Sequence, residues 1–148
     1  MIRLLNHRNS QTAKEMLTVQ AAAYKVEARL IRSNKIPRLY DTVKDIQLSD
    51  ETFVGYRESN VLTGFVSYKA ANTDIEIHRL VVAPAHFKKG IGKALIDHLF
   101  SLSPQKITVS TGTENKPAVQ LYQSLGFKEG RKMEAAPGLW LTEFIYIQ

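Results

Sequence analysis

The chain has 148 residues, with twenty Lys and Arg against fourteen Asp and Glu, a formal charge of +6 and no cysteine. That length suits one domain with its own core, spanning 1–148, and the lack of cysteine excludes a disulfide scaffold, a thiolate metal site and a thiol nucleophile. The positive surplus suits an anionic partner, without separating nucleic acid from a phosphorylated small molecule.

The N-terminal "MIRLLNHRNSQTAKE" has an apolar patch too short for a signal-peptide core, and no apolar run could span a bilayer. A soluble, cytoplasmic protein without a membrane partner is expected. "IRLLN" reads as a first strand. From about Ser10 to Arg32, apolar residues recur at helical spacing, with Ser10 as N-cap. After Pro37, "YDTVKDIQLSD" reads as a second short helix. Alternation and β-branching then predict three strands, "TFVGYRES", "LTGFVSYKA" and "DIEIHRLVV", joined by hairpin turns at "ESN" and "AANTD". A helix over Gly92–Phe100, a strand at "KITVST" and a helix over Lys116–Leu125 follow, the last capped by Asn115 and ended by Gly126. "FKEGRKM" and "WLTEFIYI" form a closing hairpin. A strand-rich centre followed by helix, strand, helix and strands describes an α/β or α+β sandwich around one mixed sheet.

The stretch "VVAPAHFKKGIGKALIDHL" carries the first chemical signal. Glycines at a loop-to-helix junction let the backbone approach a ligand, and the free N–H groups of a helix start attract an anion. Lys88, Lys89 and Lys93 add charge for more than one phosphate. A Walker A loop is excluded, because no Gly-Lys-Ser/Thr follows. A Rossmann fingerprint fails too, since Leu95 holds its third glycine position. A glycine-broken helix start with solvated lysines looks the same in isolation.

The second signal is "TENKPAVQLYQSLGF", with an amide side chain at a helix start and a tyrosine two turns later. Taken in order, "HRLVVAPAHFKKGIGKAL" and "ENKPAVQLYQSLGF" resemble the two signature segments of the GNAT superfamily of N-acetyltransferases. The strand order around them is similar over essentially the whole chain. One departure is Phe87, which stands where the family's first pattern often has Gln or Arg.

The resemblance implies a single GNAT-like domain over 1–148. Its mixed, mostly antiparallel sheet would be splayed between strands 4 and 5 and flanked by helices on both faces. It implies acetyl-CoA as cosubstrate, lying in the gap between "IEIHRLVV" and "KITVST", and no metal. The backbone of Leu80, Val81 and Val82 would pair with the pantetheine arm, and the amides of Lys88, Lys89, Gly90, Ile91, Gly92 and Lys93 would hold the pyrophosphate. Asn115 would reach the pantetheine, with Ala118 beside it, and Tyr122 would donate to the sulfur, a role that suits a phenol protonated at neutral pH. The implied reaction moves an acetyl group to a primary amine of a small molecule or peptide by direct attack in a ternary complex. A backbone N–H near Val82, at a strand bulge, would polarise the carbonyl.

For the base, Glu76 and His78 share a strand face by period two. Glu76 stands where several similar enzymes carry a carboxylate, His78 has a suitable intrinsic pKa, and some members use no dedicated base. Glu76 is also readable as a solvated carboxylate or a partner of Arg79 or a lysine, and His78 as a half-buried strand residue. The acceptor would face "AYKVEARLIRSNKIPRLYDT" and "KMEAAPGLW", where Glu27 reads as an amine attractor or a helix-surface carboxylate, and Trp140 as a pocket wall or core aromatic. The other histidines show no metal spacing, and no serine-hydrolase motif appears. A non-catalytic acyl-CoA-binding module is the alternative. Nucleic-acid binding ranks third, because the basic residues are scattered and no RNA-binding motif is present. A homodimer through the last strands is possible in principle.

Overall fold

Every expected element forms in the expected order in a computed structural model, which describes residues 1–148. The order is β1 (Ile2–Leu4), α1 (Ser10–Ile31), α2 (Val43–Leu48), β2 (Thr52–Glu58), β3 (Val61–Ala71), β4 (Asp74–Val82), α3 (Ile91–Phe100), β5 (Lys106–Gly112), α4 (Lys116–Ser124), β6 (Lys128–Ala136) and β7 (Leu139–Ile147). A single turn of 3-10 helix, Pro84–His86, precedes α3. No helix is long and apolar enough to cross a membrane.

Local chemistry accounts for the boundaries. Asn9, not Ser10, caps α1: its side chain accepts from the Thr12 N–H at 3.0 Å. Thr42 and Asp45 form a reciprocal capping box that starts α2. Ser59 and Asn60 both take positive φ in the β2–β3 turn, as does Asn72 between β3 and β4. Asn115 caps α4 as expected, accepting from Ala118, and Gly126 at φ 93° follows its end.

The seven strands form one sheet in the order β1-β2-β3-β4-β5-β7-β6. Every neighbouring pair is antiparallel except β4–β5, which run parallel. That parallel pairing spans only Asp74↔Lys106, Ile75↔Ile107 and Glu76↔Thr108. Beyond Glu76 the two strands diverge, so the expected splay is present. A core covers each face of the sheet. α1 and α2 bury Met16, Tyr24, Ile31 and Ile46 against Phe53, Phe65 and Val81. On the other face α3 and α4 bury Ile91, Leu95, Leu99 and Tyr122 against Val66, Ile77, Val109 and Phe144.

A β-bulge sits in β4, where Ser67 pairs with Arg79 but Tyr68 pairs with Ile77, leaving His78 as the extra residue. The bulge switches which residues face which core. Ile75 and Ile77 point to the α3/α4 side, as do Leu80 and Val82 beyond it, while Val81 joins the α1/α2 core. His78 and Arg79 therefore project to the same side, as bulged residues do. The family resemblance implies a bulge near Val82; the register places it at His78, and the pairing Gly64↔Val82 is regular.

Where β5 ends, α1 lies close. A Cβ on Gly112 would stand 2.8 Å from Ile31 Cγ2, so only glycine fits without displacement. Gly112→Ala is expected to cost about 1–3 kcal/mol in urea unfolding through this overpacking, and less in an Ile31→Ala background, where the Cγ2 methyl is gone.

Candidate active site

The open end of the sheet exposes one bare strand edge. From Ile77 to Val82 the side of β4 that faces β5 has no partner strand, so backbone N–H and C=O groups there are free for an extended ligand. The edge includes Leu80, Val81 and Val82. Val81 is anchored by burial in the α1/α2 core and Leu80 and Val82 by packing on the other face, so the edge is held from both sides.

The edge leads through Pro84–His86 to the glycine turn. Lys88 takes φ 64° and Gly90 φ 78°, two left-handed residues around Lys89 that turn successive N–H groups into a concavity at the start of α3. No side chain caps this helix and its first turn has no acidic residue, so nothing competes for those donors. A Cβ on Gly90 would meet nothing within 4 Å. Gly92 instead makes room for the neighbouring helix, since its Cβ would lie 3.2 Å from Leu121 Cδ2. Ile91 is buried and pins the turn to the core. The three lysines are not equivalent: Lys93 pairs with Asp97 at 2.8 Å and Lys89 lies 3.3 Å from His86 Nδ1, both at exposed positions. Phe87 is 41% exposed and lends no polar group. The cradle thus rests on amides, and its open concavity and unpaired edge fit a phosphorylated, extended cofactor.

α4 forms the opposite lip. Asn115 Oδ1 accepts from the Ala118 N–H at 3.3 Å, which fixes the side chain at the helix start. Tyr122, two turns on, is 3% exposed, with its ring 5.4 Å from Phe127 and 5.8 Å from Phe144. Burial pushes the Tyr122 phenol well above the ordinary tyrosine range, and the Glu27 carboxylate adds to the shift. Tyr24 of α1 is raised likewise, by burial first and by Glu27 second.

Glu27 is therefore not the helix-surface carboxylate that a solvated face would hold. It is half-buried, burial pushes its pKa above the usual carboxylate range, and the Asn115 amide beside it opposes that shift. Trp140, by contrast, is 49% exposed and belongs to neither core.

Glu76 and His78 do share a face, with His78 Nε2 2.8 Å from Glu76 Oε1 but off the line of a hydrogen bond. Glu76 does not pair with Arg79. Arg79 is 2% exposed and binds two other carboxylates: Glu51, and Asp41 at 3.1 Å. Glu51 also accepts from Ser67 Oγ at 2.6 Å and from Arg38 at 3.1 Å, and His78 Nδ1 lies 3.6 Å from it. Gln20 of α1 donates to Asp41 at 2.8 Å, and the Arg79 guanidinium stands 5.1 Å from the Phe53 ring centre. This network joins α1, the α1–α2 connection and three strands behind the bulge. It lines a cleft of about 410 Å³ on the α1/α2 side, together with Asp50 and Lys69. Sequence reasoning missed it because its members come from different elements at no fixed spacing. An arginine amid the apolar run "IHRLVV" was the one available sign of a buried ion pair.

Comparison with known proteins agrees with this geometry. The UPF0157 protein YqkA of Bacillus subtilis is 44% identical over 97% of the chain, which spans 43% of that relative's length. Streptothricin acetyltransferase of Streptomyces lavendulae is 34% identical over 51% of the chain, a match to 43% of its own length. The chain therefore spans less than half the length of these curated relatives. The PaiA N-acetyltransferase of Thermoplasma acidophilum, solved in complex with coenzyme A, superposes with a TM-score of 0.76 over 99% of both chains at 18% identity. Residues 19–127 match the acetyltransferase (GNAT) family, and with the split β4–β5 pair and the glycine turn in place, the chain belongs to that family.

Proposed function

We propose that the chain is an acetyl-CoA-dependent N-acetyltransferase acting on a primary amine of a small molecule or peptide, with both substrates bound at once. The observation that carries this reading is the bare β4 edge running into the uncapped turn at Lys88–Gly90, with Asn115 and Tyr122 on the facing lip. Acetyl-CoA supplies the activated thioester. The chain's backbone from Leu80 to Val82 takes the extended arm as an added strand, and the amides from Lys88 to Lys93 take the pyrophosphate.

Three proton and charge tasks remain for the protein. Tyr122, kept neutral by burial, offers its O–H to the departing sulfur. The bulge at His78 interrupts regular pairing, and backbone N–H groups beside it, at the apex of the split, are placed to polarise the thioester carbonyl. Glu76, whose side chain is 65% exposed, is the carboxylate that would take the amine's proton, with His78 beside it.

Calorimetric titration of coenzyme A and acetyl-CoA tests this reading. Micromolar binding is expected, weakened about tenfold or more in a Lys88→Ala/Lys89→Ala/Lys93→Ala variant, with most of the loss arising from Lys88 and Lys89 because Lys93 is already paired. Absence of binding to the unmodified protein, with no heat at two temperatures, would overturn the reading. Phe87 at the usual polar position favours one alternative, an acyl-CoA-binding module without turnover. In that case coenzyme A binds but no free thiol appears with any amine tried.

A further inference from the structure

We propose that Glu27 is the acceptor anchor: it receives the ammonium group of a primary alkylamine at the open end of the β4–β5 split, which makes cationic aliphatic amines, rather than neutral arylamines, the substrate class. The inference rests on the acetyl-transfer reading for why an amine should come here, yet it can be tested without turnover.

The placement follows from helix geometry. Tyr24, Glu27 and Ile31 are three and four residues apart and share one face of α1. Tyr24 and Ile31 are both buried, so Glu27 lies within the buried stripe. Ile31 abuts Gly112 at the end of β5, three residues before Asn115. The carboxylate is thereby carried to the lip of the split, beside Asn115 and near the Tyr24 and Tyr122 phenols.

Its surroundings lack a cation. No basic side chain pairs with Glu27, whose one partner is the Asn115 amide, whereas Glu114, which also has no ion-pair partner, is exposed to water. The nearby arginines are already committed, Arg79 to Glu51 and Asp41 and Arg38 to Glu51. A half-buried carboxylate with only an amide for company is held at a cost, and burial raises its pKa accordingly. An ammonium ion removes that cost by pairing with it; a neutral amine does not. The position also suits the chemistry, since Tyr122 is the residue assigned to the departing sulfur and the nucleophile must arrive close by.

The test follows the Glu27 carboxyl carbon by NMR through a pH titration, with the signal assigned by its absence in Glu27→Gln. The probes are n-butylamine, which stays an ammonium ion well above neutral pH, and n-butanol, which has the same shape without charge. Saturating n-butylamine is expected to lower the Glu27 midpoint by about one pH unit or more, and n-butanol to leave it in place. No shift, or equal shifts with both, would overturn the assignment. Coenzyme A titrated into the same samples reads the acetyl-transfer proposal separately: silence there faults that proposal, while the butylammonium shift still decides this one. In turnover, Glu27→Gln should raise KM for n-butylamine about tenfold or more while leaving coenzyme A affinity unchanged, and Glu27→Asp should recover part of it.

Discussion

Arg79→Met is expected to destabilise the fold by about 3–5 kcal/mol, as read from urea unfolding at neutral pH. Arg79 is almost wholly buried and is the shared cation of Glu51 and Asp41. Removing one member of a buried ion pair leaves its partners charged and desolvated, and that is the costly event. Methionine roughly keeps the side-chain volume against Phe53, so the loss reports charge rather than cavity. Glu51 retains Arg38 and Ser67 as partners, which places the expected value toward the lower end. Adding Asp41→Asn and Glu51→Gln to the same variant should restore most of the stability, because the orphaned charges are then gone. A loss below about 1 kcal/mol in the single variant would mean that the network is solvated, as surface pairs are.

Tyr122→Phe is expected to lower kcat about 100-fold while leaving the Kd for coenzyme A within about threefold. The ring remains, so its contacts with Phe127 and Phe144 persist and the fold should be unaffected. What disappears is one O–H. A thiol ionises near 8.5 and a tyrosine near 10, and burial pushes Tyr122 higher still. Complete proton transfer from this phenol to a thiolate is therefore uphill, at about 1.4 kcal/mol per pH unit of difference. In the proposed reaction the residue would donate a hydrogen bond to the developing negative charge and stay a phenol, with the proton coming ultimately from the amine. Thiol release in single turnover separates this from a binding defect. An unchanged kcat would assign Tyr122 to the core alone.

The two signature segments were legible because each is local: a turn, its cap and its helix are contiguous in sequence, so Gly90, Asn115 and Tyr122 could be placed from spacing. The split in the sheet was legible only through family resemblance, since no property of "KITVST" says where its pairing with β4 stops. The bulge near Val82 came only from the family resemblance, although the adjacent polar pair His78-Arg79 already interrupts the alternation of "IEIHRLVV". Its true position depends on the register with Ser67 and Tyr68, two residues on another strand. Glu27 reads as a surface carboxylate because its surroundings, too, come from other elements. Helical periodicity places it beside Tyr24 and Ile31, but its partner there, Asn115, lies nearly ninety residues away in the chain.

His78 is also an arithmetic surplus. Without it, β4 would alternate perfectly: Ile75, Ile77, Leu80 and Val82 on one side, Glu76, Arg79 and Val81 on the other, as the two cores already require. Nothing in the packing of either face demands the additional residue, which falls just past the last rung shared with β5. A strand lacking that one residue would keep both hydrophobic faces, so the opening beside β5 is set by neither core.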